Sequence, residues 1–182
     1  MSDLMPAALL RSVELFKEQI ADLPPRAEEE GPESPLEKDF FVWWHAIKHG
    51  RNAGTLGWYR SDLFPQQRVR IAGRSYRLDF AVRPDDPDDE YEARISGFTF
   101  PGIGVELDGH DFHERPKEQV ASRNERDRDL QMSGWKIFHF SGSEFFADPE
   151  TCVTTVLDHA EHSVKEMYRH LRHRRRELHK VL

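Results

Sequence analysis

The chain has 182 residues, 37% hydrophobic and 11% aromatic, enough apolar mass for one compact domain with some decoration. A net charge of −7 excludes a protein that coats nucleic acid through bulk charge, and no apolar run approaches the roughly 20 residues of a membrane span. One cysteine, Cys152, excludes an internal disulfide and a Cys-rich zinc site, and with no secretion-signal pattern at the start the protein is expected to be soluble and cytoplasmic.

In chain order, Pro6 opens a predicted helix with Leu9, Val13, Phe16 and Ile20 on one stripe. Residues 21–34, rich in Pro, Gly and Glu, read as a mobile linker. Ser34 then caps a second helix from Pro35 to about Lys48, with Pro35 in the first helical position and Glu37 completing an S-x-x-E capping box. Phe40, Phe41, Trp43, Trp44 and Ile47 make that helix strongly apolar. Gln67, Val69 and Ile71 alternate as a strand, "AGRS" turns the chain, and 76–82 form a second strand. Strict alternation there sends Tyr76, Leu78, Phe80 and Val82 to one face and Arg77, Asp79 and Ala81 to the other.

Residues 84–92, "PDDPDDEYE", read as an acidic loop leading to a third strand through "GVELD". Pro116 opens a helix to Ser133, which Gly134 ends as a left-handed cap. "WKIFHF" is a fourth strand, and Asp148-Pro149 start a final helix to about Lys180. This mixed order of helices and strands predicts an α/β layer structure, a small sheet with helices packed on it.

Charge is unevenly distributed. Residues 165–180 hold seven Lys/Arg against Glu166 and Glu177, and a second basic stretch runs through Arg60, Arg68, Arg70, Arg74 and Arg77. An acidic chain with local basic surfaces can bind a phosphate backbone at a defined place. The final helix carries an apolar stripe from Val153 to Leu171, whereas its end, "RHLRHRRRELHK", is too basic for a core. That end is expected to pack on the 6–21 helix, within one chain or across a homodimer, with its basic face free.

The third strand poses a chemical question. Glu106 and Asp108 point to one side of it, and Asp79 lies in the preceding strand among apolar residues. Three carboxylates brought together repel one another, and a divalent cation relieves the repulsion. Carboxylate oxygens suit Mg²⁺ or Mn²⁺, which also accept phosphate. The alternative is that Asp79 pairs with Arg77 or Arg126 and that the Glu106/Asp108 pair simply ends a strand. His110 and His113 can move protons near neutral pH, can ligate zinc together with carboxylates, or can be structural.

Five segments in order, "SPLEKDFF", "QQRVRIAGRSYRLDF", "GVELDGHDFH", "KEQVASRNERDRDLQMSGW" and "KIFHFSGSE", resemble the PD-(D/E)XK nuclease superfamily. The E-x-D-G members similar to very short patch repair endonucleases look most alike. The resemblance implies a restriction-endonuclease-like core in αβββαβ order over 34–160, with an N-terminal helix and linker at 1–33 and a basic helical extension at 161–182. It implies that Asp79 and Glu106 bind Mg²⁺ or Mn²⁺, with Asp108 assisting as a further catalytic carboxylate and Glu37 assisting through water unless the capping box occupies it. Asp108 stands where the familiar pattern has lysine, so the proton-handling role moves to Lys117, or to His110 and His113. Gln67, Arg70, Arg174 and Arg175 are the expected nucleic-acid contacts; Arg123, Arg126 and Asp127 also match recurring positions, and Arg126 with Asp127 is expected to tie its helix to the sheet. The implied activity is hydrolysis of DNA, more than RNA, in repair, restriction or defence. The alternatives are a catalytically inactive nuclease-fold subunit that binds DNA or a partner, and a zinc-dependent hydrolase using the histidines.

Overall fold

A computed structural model describes residues 18, 21–52, 61–71, 73–84, 87–98, 100, 102–109 and 117–181. Its elements are α1 (Leu23–Glu29), α2 (Pro35–Asn52), β1 (Ser61–Ile71), β2 (Arg74–Pro84), α3 (Pro87–Ile95), β3 (Ile103–Asp108), α4 (Lys117–Met132), β4 (Lys136–Ser141), α5 (Gly142–Ala147) and α6 (Pro149–Val181). The four strands form one mixed sheet in the order β1-β2-β3-β4. β1, β2 and β3 run antiparallel, and β3 pairs with β4 in parallel, Glu106 opposite His139. The predicted α/β layer architecture is therefore present. The 6–21 helix and its packing against the tail fall largely outside the described residues.

Two segments read as loops are helices. Residues 21–34 contain α1, because Pro24 and Pro25 sit in its first turn, where a helix has no amide hydrogen bonds to lose. Leu23 and Ala27, four apart, are buried, and Arg26 pairs with Glu30 at 2.7 Å. The acidic stretch forms the start of α3: Pro87 is its first residue, its acids lie near a positive helix N-terminus, and Ala93 is buried. By contrast Gly134 acts as expected. At φ 85° it closes α4 with its amide donating to Gln131 O at 3.0 Å, and Trp135 N donates to Leu130 O at 3.0 Å.

One face of the sheet carries the main core. Phe40, Phe41 and Trp44 of α2 meet Phe80, Val82, Ile103 and Val105 of the strands and the stripe of α6 from Val153 to Leu171. Trp43, read as part of the apolar helix face, is 39% exposed. Leu171 is buried and His170 shares a hydrogen bond with Ser96, so α6 stays docked through these two residues of its basic end. No described helix is long and apolar enough to cross a membrane.

The other face of the sheet lies under α4, where Val69, Leu78 and Leu130 form a smaller cluster. Strict alternation along β2 fails here. Phe80 pairs with Val105 and belongs to the main core, whereas Leu78 approaches Gly104, whose neighbour side is the α4 face. The break sits at Asp79 and at Gln66 opposite it: the ladder holds Pro65↔Phe80 and Gln67↔Leu78 but skips the pair between. Gln66 has φ 51°, the single positive value among the described non-glycine residues.

Candidate active site

The break in β2 exposes a donor that β3 would otherwise spend on the ladder. Pairing of β2 with β3 covers Phe80 to Val82. At the next position the Asp79 carboxylate substitutes for strand backbone, and the Leu107 amide donates to Asp79 Oδ2 at 2.7 Å. Asp79 is thereby fixed beside Glu106. Neither Arg77 nor Arg126 is its near partner: Arg77 reaches Glu33 at 3.0 Å, and Arg126 reaches Glu106.

Gly104, Glu106 and Asp108 alternate onto the α4 face, as the sequence predicts for the two acids. Glu106 and Asp108 are each 9% exposed. Arg126 Nη2 lies 3.1 Å from Glu106 Oε2, and Arg123 Nη1 lies 2.9 Å from Asp108 Oδ2. The other oxygen of Glu106, Oε1, is buried without a hydrogen-bond partner among the described residues. Burial, and then the Asp79 charge, push the Glu106 carboxyl up to about 7 against the pull of Arg126. Burial also raises Asp79, although the Leu107 amide and Arg126 oppose it.

These residues line a cavity of about 530 Å³ with Asp79, Glu106 and Asp108 on the strand side and Arg123, Glu125 and Arg126 on the helix side. α4 has few apolar residues, and it is attached to the sheet largely by charge. Arg74 meets Glu125 at 2.6 Å and Asp129 at 3.2 Å, and Tyr76 donates to Asp129 at 2.5 Å. Within "NERDRD", Arg126, Asp127 and Asp129 are the half-buried residues turned to the sheet, and Arg126 ties the helix to it through Glu106, whereas Asn124, Glu125 and Arg128 are exposed. Asp127 Oδ2 lies 2.9 Å from Nε2 of a residue not anticipated from the sequence, His139, at contact distance but without hydrogen-bond geometry. Burial and the Arg123 charge hold His139 below its ordinary pKa. The available signal was alternation, since "KIFHF" places Ile137 and His139 on one face, next to Glu106 in the parallel ladder.

Glu37 is 8% exposed and its carboxylate is fully engaged. It accepts from Glu33 N at 2.8 Å, Ser34 Oγ at 2.9 Å and Gln66 Nε2 at 2.7 Å, while its own amide donates to Ser34 Oγ at 3.2 Å. The capping box is formed, and it anchors the Gln66 break to α2. The Glu37 charge contributes to raising Asp79, so it lies within electrostatic reach of the site. Replacing Ser34 by alanine is expected to cost about 1 kcal/mol in denaturant unfolding; an unchanged midpoint would mean that the Glu33 and Gln66 contacts alone hold Glu37.

His110 and His113 lie outside the described residues, and Lys117 opens α4 with its side chain likewise outside them. Gln67 is half-buried and donates to Pro65 O at 3.2 Å, whereas Arg70 and Arg174 are exposed. Arg175 is held by Glu92 of α3 through two contacts.

Among the described residues no three His, Cys, Asp or Glu side chains are arrayed to hold a metal ion. Two carboxylates on adjacent strands, one with an unpartnered buried oxygen, nonetheless form an oxygen donor pair that suits a hard divalent cation. The chain matches no protein-family model, no curated protein and no solved structure.

Proposed function

We propose that this chain is a metal-dependent nuclease with a restriction-endonuclease-like core, hydrolysing DNA phosphodiester bonds in repair, restriction or defence. The observation that carries this reading is the Asp79–Glu106 pair: two carboxylates forced together at a cavity wall, with Glu106 Oε1 buried and unpartnered. A fold seldom retains such a costly arrangement unless a cation or a proton is its intended occupant.

Asp79 and Glu106 would hold Mg²⁺ or Mn²⁺. When bound, such an ion stabilises charge on a phosphodiester and makes water a better nucleophile at neutral pH. The protein's share is positional. The Leu107 amide locks Asp79, so its second oxygen alone is available to a ligand. The buried strand backbone of β3 sets Glu106 beside it. Asp108 is held by Arg123 and does not supply the basic group that a lysine would. Proton transfer is assigned to Lys117 or to His110 and His113. Arg70 and Arg174, both exposed, are assigned to contact a phosphate backbone outside the cavity.

A second reading has its own support. Both acids of β3 are already ion-paired with arginines of α4, as in a nuclease fold that binds DNA or a partner without cutting. Purified protein incubated with supercoiled plasmid, linear duplex and single-stranded DNA in Mg²⁺, Mn²⁺ or EDTA separates the two. The nuclease predicts cleavage that needs metal and disappears in Asp79→Ala and Glu106→Ala. Duplex binding that persists in EDTA, with no cutting in any metal and no Mn²⁺ uptake by calorimetry, would select the binding subunit instead.

A further inference from the structure

We infer that Arg126 is a two-position residue: in the metal-free protein it neutralises Glu106, and when a cation takes Glu106 it swings, pivoting on Asp127, to grip the phosphodiester of the substrate. This inference rests on the nuclease reading and assigns the side chain that engages substrate at that same site.

The geometry gives Arg126 two anchors. Its Nη2 is 3.1 Å from Glu106 Oε2 on the strand and 3.5 Å from Asp127 Oδ1 on its own helix, and its Nε is also 3.5 Å from Asp127 Oδ1. Asp127 Oδ2 also lies 2.9 Å from His139 Nε2 on the sheet. Nη2 thus faces both carboxylates, whereas Nε lies near the same Asp127 oxygen without forming a hydrogen bond. Rotation about the terminal side-chain bonds can carry Nη2 away from Glu106 while the guanidinium stays within ion-pair reach of Asp127. The same guanidinium lines the cavity, so released donors point to the space a substrate would fill. Guanidinium matches phosphate oxygens with paired donors, as it matches a carboxylate.

Charge makes the exchange favourable. Among the described residues, Asp79, Glu106, Asp108, Glu125 and Asp127 face Arg74, Arg123 and Arg126 in and beside the cavity, so five carboxylates meet three guanidiniums. One divalent cation would balance the difference, and a guanidinium freed from Glu106 would then meet the added negative charge of a phosphodiester.

The test uses the full chain and two probes, Mn²⁺ alone by calorimetry and a labelled phosphorothioate duplex by fluorescence anisotropy. Arg126→Gln removes the competitor for Glu106, so Mn²⁺ is expected to bind about tenfold tighter than to the unsubstituted protein. Duplex affinity is expected to fall about tenfold in Mn²⁺ and to stay unchanged in EDTA, where Arg126 is occupied by Glu106. Arg126→Lys, which keeps a cation that cannot fork across two oxygens, carries the same expectations at smaller amplitude and serves if the glutamine variant folds poorly. Mn²⁺ affinity that is unchanged or weaker in both variants, while Glu106→Gln still abolishes it, overturns the two-position role and leaves the nuclease reading standing. An equal loss of duplex affinity with and without Mn²⁺ also overturns it, since Arg126 would then be a constant contact. Absence of Mn²⁺ binding in every protein, the unsubstituted one included, removes the nuclease reading and this inference together.

Discussion

Glu106→Gln is expected to do two opposite things: to stabilise the metal-free protein at pH 8 by about 3 kcal/mol, and to reduce metal-dependent cleavage about a hundredfold or more. Glu106 is shifted from 4.5 to about 7, chiefly by burial and then by Asp79. The folded protein therefore holds this proton more tightly than the unfolded chain does. The resulting stability is fully present below about 4.5, declines as pH rises through the window, and is lost above about 7. Asp79, also raised, acts in the same direction. Glutamine keeps the shape and carries no charge, so it escapes the cost that glutamate incurs at pH 8. The measurement is urea unfolding of both proteins in EDTA from pH 5 to pH 8, read as the difference between them so that other titrating groups cancel. The difference between them is expected to be small at pH 5 and to widen up to about pH 7, and Mn²⁺ at pH 8 is expected to stabilise only the unsubstituted protein. A difference that stays flat, or that favours glutamate at high pH, would show that Arg126 outweighs burial and that Glu106 is an ordinary ion-pair partner.

Phe40→Ala is expected to remove about 3–5 kcal/mol of stability, a large share of what a domain of this size possesses. Phe40 is fully buried. Its ring lies within 5.5 Å of Phe80, 5.8 Å of Phe145, 6.3 Å of Phe140 and 6.5 Å of Trp44, centroid to centroid. It thus joins α2 to β2, β4 and α5 at one point, and a cavity there has rigid aromatic walls that collapse poorly. The consequence reaches the site, because α2 also carries Glu37, whose carboxylate holds Gln66 at the strand break. Unfolding by urea checks the magnitude, with Met132→Ala as the control: Met132 is 88% exposed and its loss should be silent. A loss below about 1 kcal/mol for Phe40→Ala would mean that the neighbouring rings close the gap and that the core is centred elsewhere.

The amino-acid sequence by itself determined the parts of this protein whose signals are local. Alternation placed Glu106 and Asp108 on one face of β3, S-x-x-E marked the start of α2, and Gly134 marked the end of α4. These depend on neighbours within a few residues, and the structure repeats them. Periodicity along α6 likewise named its buried stripe. The linker and the acidic loop were misread for a local reason as well: Pro and acidic residues signal turns, but they are equally at home in the first turn of a helix, and only burial of Leu23, Ala27 and Ala93 distinguishes the two cases.

Tertiary structure alone decided the chemistry of the site. No spacing in the chain says that β2 breaks alternation at Asp79, because the break is set by Gln66 on the facing strand and by Glu37 on a helix beyond it. Nor does the pattern of "NERDRD" reveal which of its charges meet the sheet. Arg126 finds Glu106, and Asp127 finds His139, across a gap closed by packing between elements far apart in sequence. The elevated affinity of Glu106 for a proton has the same origin. It follows from burial and from the nearness of Asp79, and both are properties of the assembled sheet that a run of residues does not carry.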